Sequence, residues 1–177
     1  EGKPQPVPAG QLGGAYLQAV RQTMNAFHSQ EMKSIEQVAE MAIQARDAHK
    51  GVYAYVESHV LAWQWTEWHE PGVFTNIGRW HSMRKDIKLE PGDLVFAMAY
   101  TEIYDTKSYE FFAQKARDAG AKIVWTMGGY DEKPQLPPSE MLIDQMWKPD
   151  DAVVEVPGYD IKILPTSGVM QNLVYQM

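Results

Sequence analysis

The segment from Glu90 to Met127 constrains the fold most, because its pattern is that of one strand–loop–helix–strand unit. Pro91-Gly92 precedes a fully apolar run, Leu94 to Ala99, which is typical of a strand buried on both faces of a parallel sheet. An apolar stripe of helical spacing follows over 109–119, and Gly120 stands where a helix C-cap needs a left-handed residue. Parallel strands joined by a helix cross over right-handedly, so this unit predicts an α/β protein.

Apolar runs before and after this unit extend the predicted sheet. Together they predict five parallel strands, near residues 52–56, 73–77, 94–99, 122–126 and 152–156. Helical periodicity predicts helices on both faces of the sheet, near residues 12–28, 30–48, 60–68, 109–119, 139–147 and 169–177. Strands that alternate with helices indicate a three-layer αβα sandwich around a doubly wound parallel sheet.

The size and charge of the chain limit the classes of protein to which it can belong. Its 177 residues predict a single α/β domain over 12–177, preceded by a proline-rich, extended or disordered tail over 1–11. A net charge of −7 without a basic patch argues against a nucleic-acid partner. No apolar run approaches the roughly 20 residues that cross a bilayer, so no membrane span is expected.

The cysteine content excludes several kinds of site, whereas the first residues bear on the location of the protein. The chain has no cysteine, which excludes disulfides, thiolate catalysis and cysteine-ligated zinc but indicates no redox compartment. It begins at Glu1 with a proline-rich stretch, which is typical of a chain from which a leader peptide has been removed. An exported, periplasmic location and a cytoplasmic one are both compatible with this start.

Polar segments follow several predicted strands, at the edge where the carboxyl ends of parallel strands meet. They are Glu57-Ser58-His59, residues 100–108, residues 126–129 and, before the last helix, residues 165–168. Ligands of doubly wound sheets bind beyond this edge, and helix N-termini attract anions, phosphate above all. Ser58, Thr106 and Ser167 each open a predicted helix, where serine and threonine also serve as ordinary N-caps. Three such positions on one edge favour an anion site.

Four segments carry a resemblance to a known family: residues 34–41, residues 58–62, residues 91–95 continued to 120–124, and residues 165–168. They are similar to parts of the SIS (sugar isomerase) domain family, which includes phosphoheptose isomerases, and particularly to its small stand-alone members. The resemblance extends from about Tyr16 to Met177. It implies the flavodoxin-type strand order 2-1-3-4-5 and a phosphosugar-binding protein. The corresponding enzyme would be an aldose–ketose sugar-phosphate isomerase.

By position, the resemblance implies ligand contacts from two loops. Ser58 matches a serine of the family's first ligand loop, and Thr101 falls on a serine of the second. We expect a phosphorylated sugar to be bound by hydroxyl, amine and backbone groups of Ser58, Tyr100, Thr101, Thr106, Lys107, Thr166 and Ser167.

The same loops depart from the family's pattern. Glu57 directly follows the first strand where the family has glycines, Ala99 replaces a serine, and Glu102 replaces a glycine. A carboxylate at position 102 repels a phosphate unless Lys107 compensates for it. These departures leave a second function open, that of a non-catalytic SIS-fold protein with an eroded ligand site, acting as an oligomeric structural or interaction subunit.

An isomerase of this kind moves a proton between adjacent carbons, which requires a base of near-neutral pKa at the site. Glu57, His59 and Glu102 lie on the predicted ligand edge and are therefore the candidate catalytic residues. Each of them also fits a simpler role, as an exposed loop carboxylate or as a histidine that caps a helix.

Four residues of metal-ligand type are close in sequence: His59, Glu67, His69 and His81. Histidine and carboxylate side chains are suitable ligands for zinc or iron. Their spacing matches no HExxH-type motif, and residues two apart point to different faces of a helix. Neither a metal nor another cofactor is predicted.

Four tryptophans fall within eighteen residues: Trp63, Trp65, Trp68 and Trp80. Aromatic residues at this density are typical of subunit interfaces, although core packing also accounts for them. The long N-terminal helical stripes likewise need a surface to cover. We therefore expect a homodimer or higher oligomer, with the helix near 60–68 or the helices over 12–48 buried against a symmetry mate.

Overall fold

The fold is built on a sheet whose central strands are parallel. The computed structural model describes residues 6–56, 74–79, 82–99 and 106–177, with the backbone alone at Arg79 and over 106–109. In chain order the described elements are α1 (Gln11–Asp47), β1 (Val52–Val56), β2 (Thr75–Arg79), β3 (Ser82–Met83), β4 (Leu94–Met98), α2 (Thr106–Asp118), β5 (Lys122–Met127), β6 (Met141–Asp144), β7 (Ala152–Glu155), β8 (Lys162–Pro165) and α3 (Ser167–Gln176).

Six of these strands form the main sheet, in the order β3-β2-β1-β4-β5-β6. The neighbours from β2 to β6 pair in parallel, and the two-residue β3 adds antiparallel to β2 at one edge. Counted along the chain without β3, the parallel strands have the order 2-1-3-4-5. The prediction of a doubly wound α/β sheet is therefore confirmed, with one short edge strand more than expected.

Alternate strand residues enter two hydrophobic cores, one on each face of the sheet. Ala54 and Val56 of β1 pack with residues of α1 and α3, whereas Tyr55 faces the core under α2. There the Phe112 ring of α2 stacks on Tyr55 with centroids 4.3 Å apart and meets Trp125 of β5 edge-on at 6.1 Å. Burial of each such side chain contributes about 1.5–3 kcal/mol, so these contacts hold the three layers together.

The fifth parallel strand is not the one that the sequence pattern predicts. Residues 139–147, predicted as a helix, contain β6, which pairs in parallel with β5. Residues 152–156, predicted as a parallel strand, contain β7, which forms an antiparallel hairpin with β8 outside the main sheet. The helix prediction is wrong because so short an apolar run fits a helix or a strand by periodicity. The second prediction has the right element but the wrong pairing, because only the available partner strand decides whether a strand joins the main sheet.

α1 is one helix of 37 residues where the sequence pattern predicts two. The expected break near residue 29 is absent because the Ser29 hydroxyl donates to the Ala26 carbonyl at 2.9 Å, within the same helical turn, and does not cap a new helix. No glycine or proline stands between residues 15 and 50 to end the helix earlier. None of the described helices combines the length and hydrophobicity that a membrane crossing needs.

α1 is much longer than the sheet on which it packs. At 1.5 Å per residue it extends about 55 Å, against about 17 Å for a five-residue strand. Because α1 ends at Asp47, shortly before β1 begins, it runs antiparallel to β1 and its N-terminal half passes beyond the carboxyl ends of the strands. There the Tyr16 hydroxyl donates to the Pro165 carbonyl at 2.8 Å, which joins this half of α1 to the β7–β8 hairpin.

Asp93 organises the opposite edge, where the parallel strands begin. Its side chain is buried, and its carboxylate accepts the backbone N–H groups of Gly51 at 2.8 Å and Glu90 at 2.7 Å. Its own carbonyl accepts the N–H of Lys122 at 2.7 Å. One residue thus ties together the starts of β1, β4 and β5.

Replacing Asp93 by alanine is expected to lower the free energy of unfolding by about 2–4 kcal/mol, because two part-buried N–H groups lose a charged acceptor. Chemical denaturation monitored by circular dichroism measures this change. Asp131→Ala, at an exposed loop position, is the matched control and is expected to change stability by less than about 0.5 kcal/mol. Equal effects of the two substitutions would show that Asp93 does not organise this edge.

Candidate functional site

The strand connections reverse direction between β1 and β4. From β1 the chain continues to β2 on one side, whereas from β4 it continues through α2 to β5 on the other side. Val56 at the end of β1 and Met98 at the end of β4 are register partners. In a doubly wound sheet such a switch point opens a crevice beyond the carboxyl ends of the strands, and that crevice is the usual ligand position.

Most of the predicted site residues lie in the segments that begin at these two strand ends. Glu57, Ser58, His59, Tyr100, Thr101 and Glu102 are outside the described residues. What the structure determines is their attachment, since the first segment starts directly after Val56 and the second directly after Ala99. The residues considered as metal ligands are also outside the described ranges, within which no cluster of three His, Asp or Glu residues could hold a metal ion.

The N-terminus of α2 lies at the carboxyl-end edge of the sheet, because α2 connects the parallel strands β4 and β5. Thr106 is its first residue and Lys107 its second, and the first turn contains no acidic residue. The first backbone N–H groups of a helix have no partner within it, and the helix dipole places partial positive charge there. This terminus therefore has the electrostatic character of an anion site.

The N-terminus of α3 is occupied from within the chain. Thr166 and Ser167 are buried, and their backbone N–H groups donate to Asp151 Oδ1 at 3.0 and 2.7 Å. The Ser167 hydroxyl donates to Asp151 Oδ2. A carboxylate from the chain itself thus takes the place that an anion would have at this helix end. α3 also follows the β7–β8 hairpin, so it does not open from a strand of the main sheet.

A buried amide lies between the carboxyl ends of β4, β5 and β6. Gln145 is fully buried, and its side-chain nitrogen lies 3.0 Å from the Thr126 carbonyl, 3.2 Å from the Thr126 hydroxyl and 3.4 Å from the Ala99 carbonyl. Its side-chain oxygen accepts the indole N–H of Trp147 at 2.8 Å. Gln145 therefore holds the end of β4, from which the second predicted ligand loop begins, against β5.

Sequence reasoning missed Gln145 and Trp147, because the periodicity over 139–147 predicts a helix. One available signal was the pair Gly128-Gly129 at the end of β5. A Cβ at either glycine would collide with the Trp147 ring, and Gly129 has a φ of 69°, in the left-handed region that favours glycine. Adjacent glycines beyond a strand thus indicated a large side chain packed on the backbone.

Replacing Gln145 by leucine is expected to lower the free energy of unfolding by about 1–3 kcal/mol, because Trp147 loses its amide acceptor in a buried place. Chemical denaturation measures the loss, and the indole N–H resonance of Trp147 in an NMR spectrum reports the broken hydrogen bond. Gln135→Leu, at an exposed loop position, is the control and is expected to leave both unchanged. A stable Gln145→Leu variant with an unshifted Trp147 resonance would contradict this description.

The loop between β5 and β6 is fastened to the α2 face by Glu140. The buried carboxylate accepts the Trp125 indole N–H at 2.6 Å and the Arg117 guanidinium Nε–H at 2.6 Å. Hydrogen bonding to Glu140 raises the pKa of Arg117 above its ordinary value. Because the carboxylate has partners from both β5 and α2, this pair ties the loop to the layers beneath it.

Comparisons with known proteins identify a fold relative. Neither protein-family models nor curated proteins give a match to this chain. Among solved structures, the chain is similar to a phosphoheptose isomerase from Francisella tularensis, with a TM-score of 0.65 and 12% sequence identity. The likeness covers 96% of this chain and 95% of that one, so the two share nearly the whole fold.

Proposed function

We propose that this chain is a phosphosugar-binding protein of the SIS type and that it holds the phosphate of its ligand at the switch point between β1 and β4. The observation that carries the proposal is that α2 begins at the same edge of the sheet at which that switch point opens. The fold likeness to a phosphoheptose isomerase supports the same ligand class. The natural reaction for such a site is aldose–ketose isomerisation of the bound sugar phosphate.

The proposed phosphate contacts come from the two segments that follow β1 and β4. Ser58, Thr101 and Thr106 supply hydroxyls and N–H groups around the anion, while Tyr100 and Lys107 flank it. Glu57, His59 and Glu102 are the proposed acid–base residues. A contact from Thr166 or Ser167 requires Asp151 to be displaced from the start of α3, so the proposal depends chiefly on α2.

Opposing charges set the expected affinity. Backbone N–H groups at a helix start favour an anion by about 0.3–1 kcal/mol at an exposed position, and Lys107 adds a charge-assisted contact. Against this, the carboxylate of Glu102 repels a dianion in the same loop. Binding is therefore expected to be weaker than at a site with glycine in that position.

Calorimetric titration with a panel of sugar phosphates tests the proposed site. Ser58→Ala is expected to weaken binding by about tenfold through the loss of one hydrogen bond to a charged group. Glu102→Gly is expected to strengthen it, since the repulsive carboxylate is removed. Ser29→Ala, at an exposed position of α1 that the proposed site does not use, is the control. If the wild type gives no heat and Glu102→Gly restores none, the phosphosugar site does not exist.

An oligomeric assembly protein is the second candidate, and the shape of α1 favours it. The N-terminal half of α1 projects beyond the sheet and carries Leu17, whose side chain is 60% exposed. Farther along, α1 and α3 enclose an open apolar cavity of about 470 Å³ with Ile35, Ile43, Val174 and Met177 in its walls. We propose that a second copy of the chain covers these surfaces, with or without catalysis.

Light scattering tests this assembly. The wild type is expected to have a mass of at least twice the 20.1 kDa of one chain. Ile43→Asp is expected to weaken association by at least tenfold, because a charge replaces an apolar contact in the interface. Ile161→Asp on the β7–β8 hairpin is the matched control, since both isoleucines are 55% exposed. A monomeric wild type at high concentration would rule out the assembly.

A further inference from the structure

A groove of about 520 Å³ opens on the α2 face of the sheet, between the chain that leads from β3 to β4 and the C-terminal part of α2. Its walls include Leu89, shortly before β4 begins, and Ala119, which follows the last residue of α2. It therefore lies toward the edge at which the parallel strands begin. The proposed phosphate site lies at the opposite edge, so the two sites have no residue in common.

Four cationic side chains line this groove. Arg84, Lys85 and Lys88 come from the connection between β3 and β4, and Lys115 comes from α2. None of the described residues that line it is acidic. Lys85, Lys88 and Lys115 form no ion pair with any described residue, and the Lys115 ammonium instead lies 4.1 Å from the centroid of the Phe111 ring. The sequence shows no basic patch, because Lys115 joins the other three cations only in the fold.

Packing and hydrogen bonds fix the position of this connection. Met83, Ile87 and Leu89 are partly buried and pack against the core beneath α2, and they also supply an apolar part of the groove wall. The Arg84 backbone N–H donates to the Ile77 carbonyl of β2 at 2.8 Å. The cations are thus carried by a backbone that is already in place, so a ligand that binds here orders less of the chain than it would in a free loop.

Two of the four cations also have a role within the chain. The Arg84 guanidinium Nε–H donates to Asp86 Oδ1 at 3.1 Å. Lys115 stands in the last turn of α2, where the helix dipole favours a cation. Neither role accounts for Lys85 and Lys88. Because a cleft lined by one sign of charge concentrates counter-ions, we expect this groove to attract anions, although the chain as a whole has a net charge of −7.

We propose that this groove binds a small organic anion of the nucleoside diphosphate class. Its volume falls in the range of about 300–1,000 Å³ that is usual for small-molecule sites. Lysine and arginine side chains suit the phosphate groups, and the apolar side chains of the wall offer a surface for the base. The net charge of −7 disfavours a long nucleic acid. The site is additional to the proposed phosphosugar site and does not depend on it.

Calorimetric titration with ADP at low salt tests this site. Lys88→Gln and Lys115→Gln, on the two sides of the groove, are each expected to weaken ADP binding by about two- to fivefold, the effect of one exposed ion pair. Lys33→Gln and Lys133→Gln remove the same charge at exposed positions elsewhere and are the matched controls, which are expected to bind ADP like the wild type. Equal losses in all four variants would show that only the net charge matters and would overturn the proposal.

Asp86 offers a change in the opposite direction. Asp86→Asn is expected to strengthen ADP binding by about two- to fivefold, because the carboxylate no longer competes with the ligand for the Arg84 guanidinium. Asp131→Asn, at an exposed loop position, is the control for the same change in net charge. A gain no larger than that of Asp131→Asn would contradict the part of Arg84 in the proposed site.

Other ligands distinguish a nucleotide from other occupants of the groove. Adenosine and inorganic pyrophosphate are each expected to bind more weakly than ADP, because adenosine has no charge and pyrophosphate leaves the apolar wall uncovered. Pyrophosphate binding as tight as that of ADP would refute the assignment to a nucleotide. Tighter binding of an oligoglutamate peptide would assign the groove to an acidic protein segment instead.

One further variant separates this site from the proposed phosphosugar site. Ser58→Ala is expected to bind ADP like the wild type. If Ser58→Ala abolishes ADP binding while Lys88→Gln and Lys115→Gln do not, ADP occupies the phosphosugar site and this inference fails. If ADP does not bind the wild type at all, the inference is refuted, whereas the phosphosugar proposal is decided by its own titration with sugar phosphates.

Discussion

The burial of β4 on both faces is the constraint on which the rest of the structure depends. Every residue from Leu94 to Met98 is buried, and the strand pairs in parallel with β1 on one side and β5 on the other. A strand without a solvent face requires a helical layer above and below it, which α1 with α3 and α2 provide. The same central position makes the β1–β4 border the place where the connections reverse and a ligand crevice opens.

Buried polar side chains then hold the two edges of this sheet in position. Asp93 joins the strand starts through backbone N–H groups, and Gln145 joins the strand ends through carbonyls and the Trp147 indole. The side chains of Asp93 and Gln145 are both hydrogen-bonded, as buried polar groups usually are.

The structural features that depend on local interactions were predictable from the sequence. The Pro-Gly-Asp turn, the apolar run of β4 and Gly120 at the end of α2 identified the central unit, since each reflects a backbone or burial preference of the residue itself. Gly120 indeed has a φ of 72° in the structure. The segment of β6 instead fits a helix by its pattern and that of β7 fits a strand of the main sheet, because each strand has only four residues and a pattern that short does not specify a partner strand.

The sequence alone thus determined the fold class, the order of the central strands and the edge at which chemistry is expected, because periodicity and turn residues act over a few neighbours. Only the tertiary structure decided which residues meet there. Gln145 is far from Thr126 and Ala99 in the chain, and the pairing of β6 with β5 brings its amide to their carbonyls. Asp151 occupies the start of α3, where the backbone N–H groups of the predicted ligand residues Thr166 and Ser167 donate to its carboxylate. Contacts between residues so distant in sequence depend on packing, and no local pattern records them.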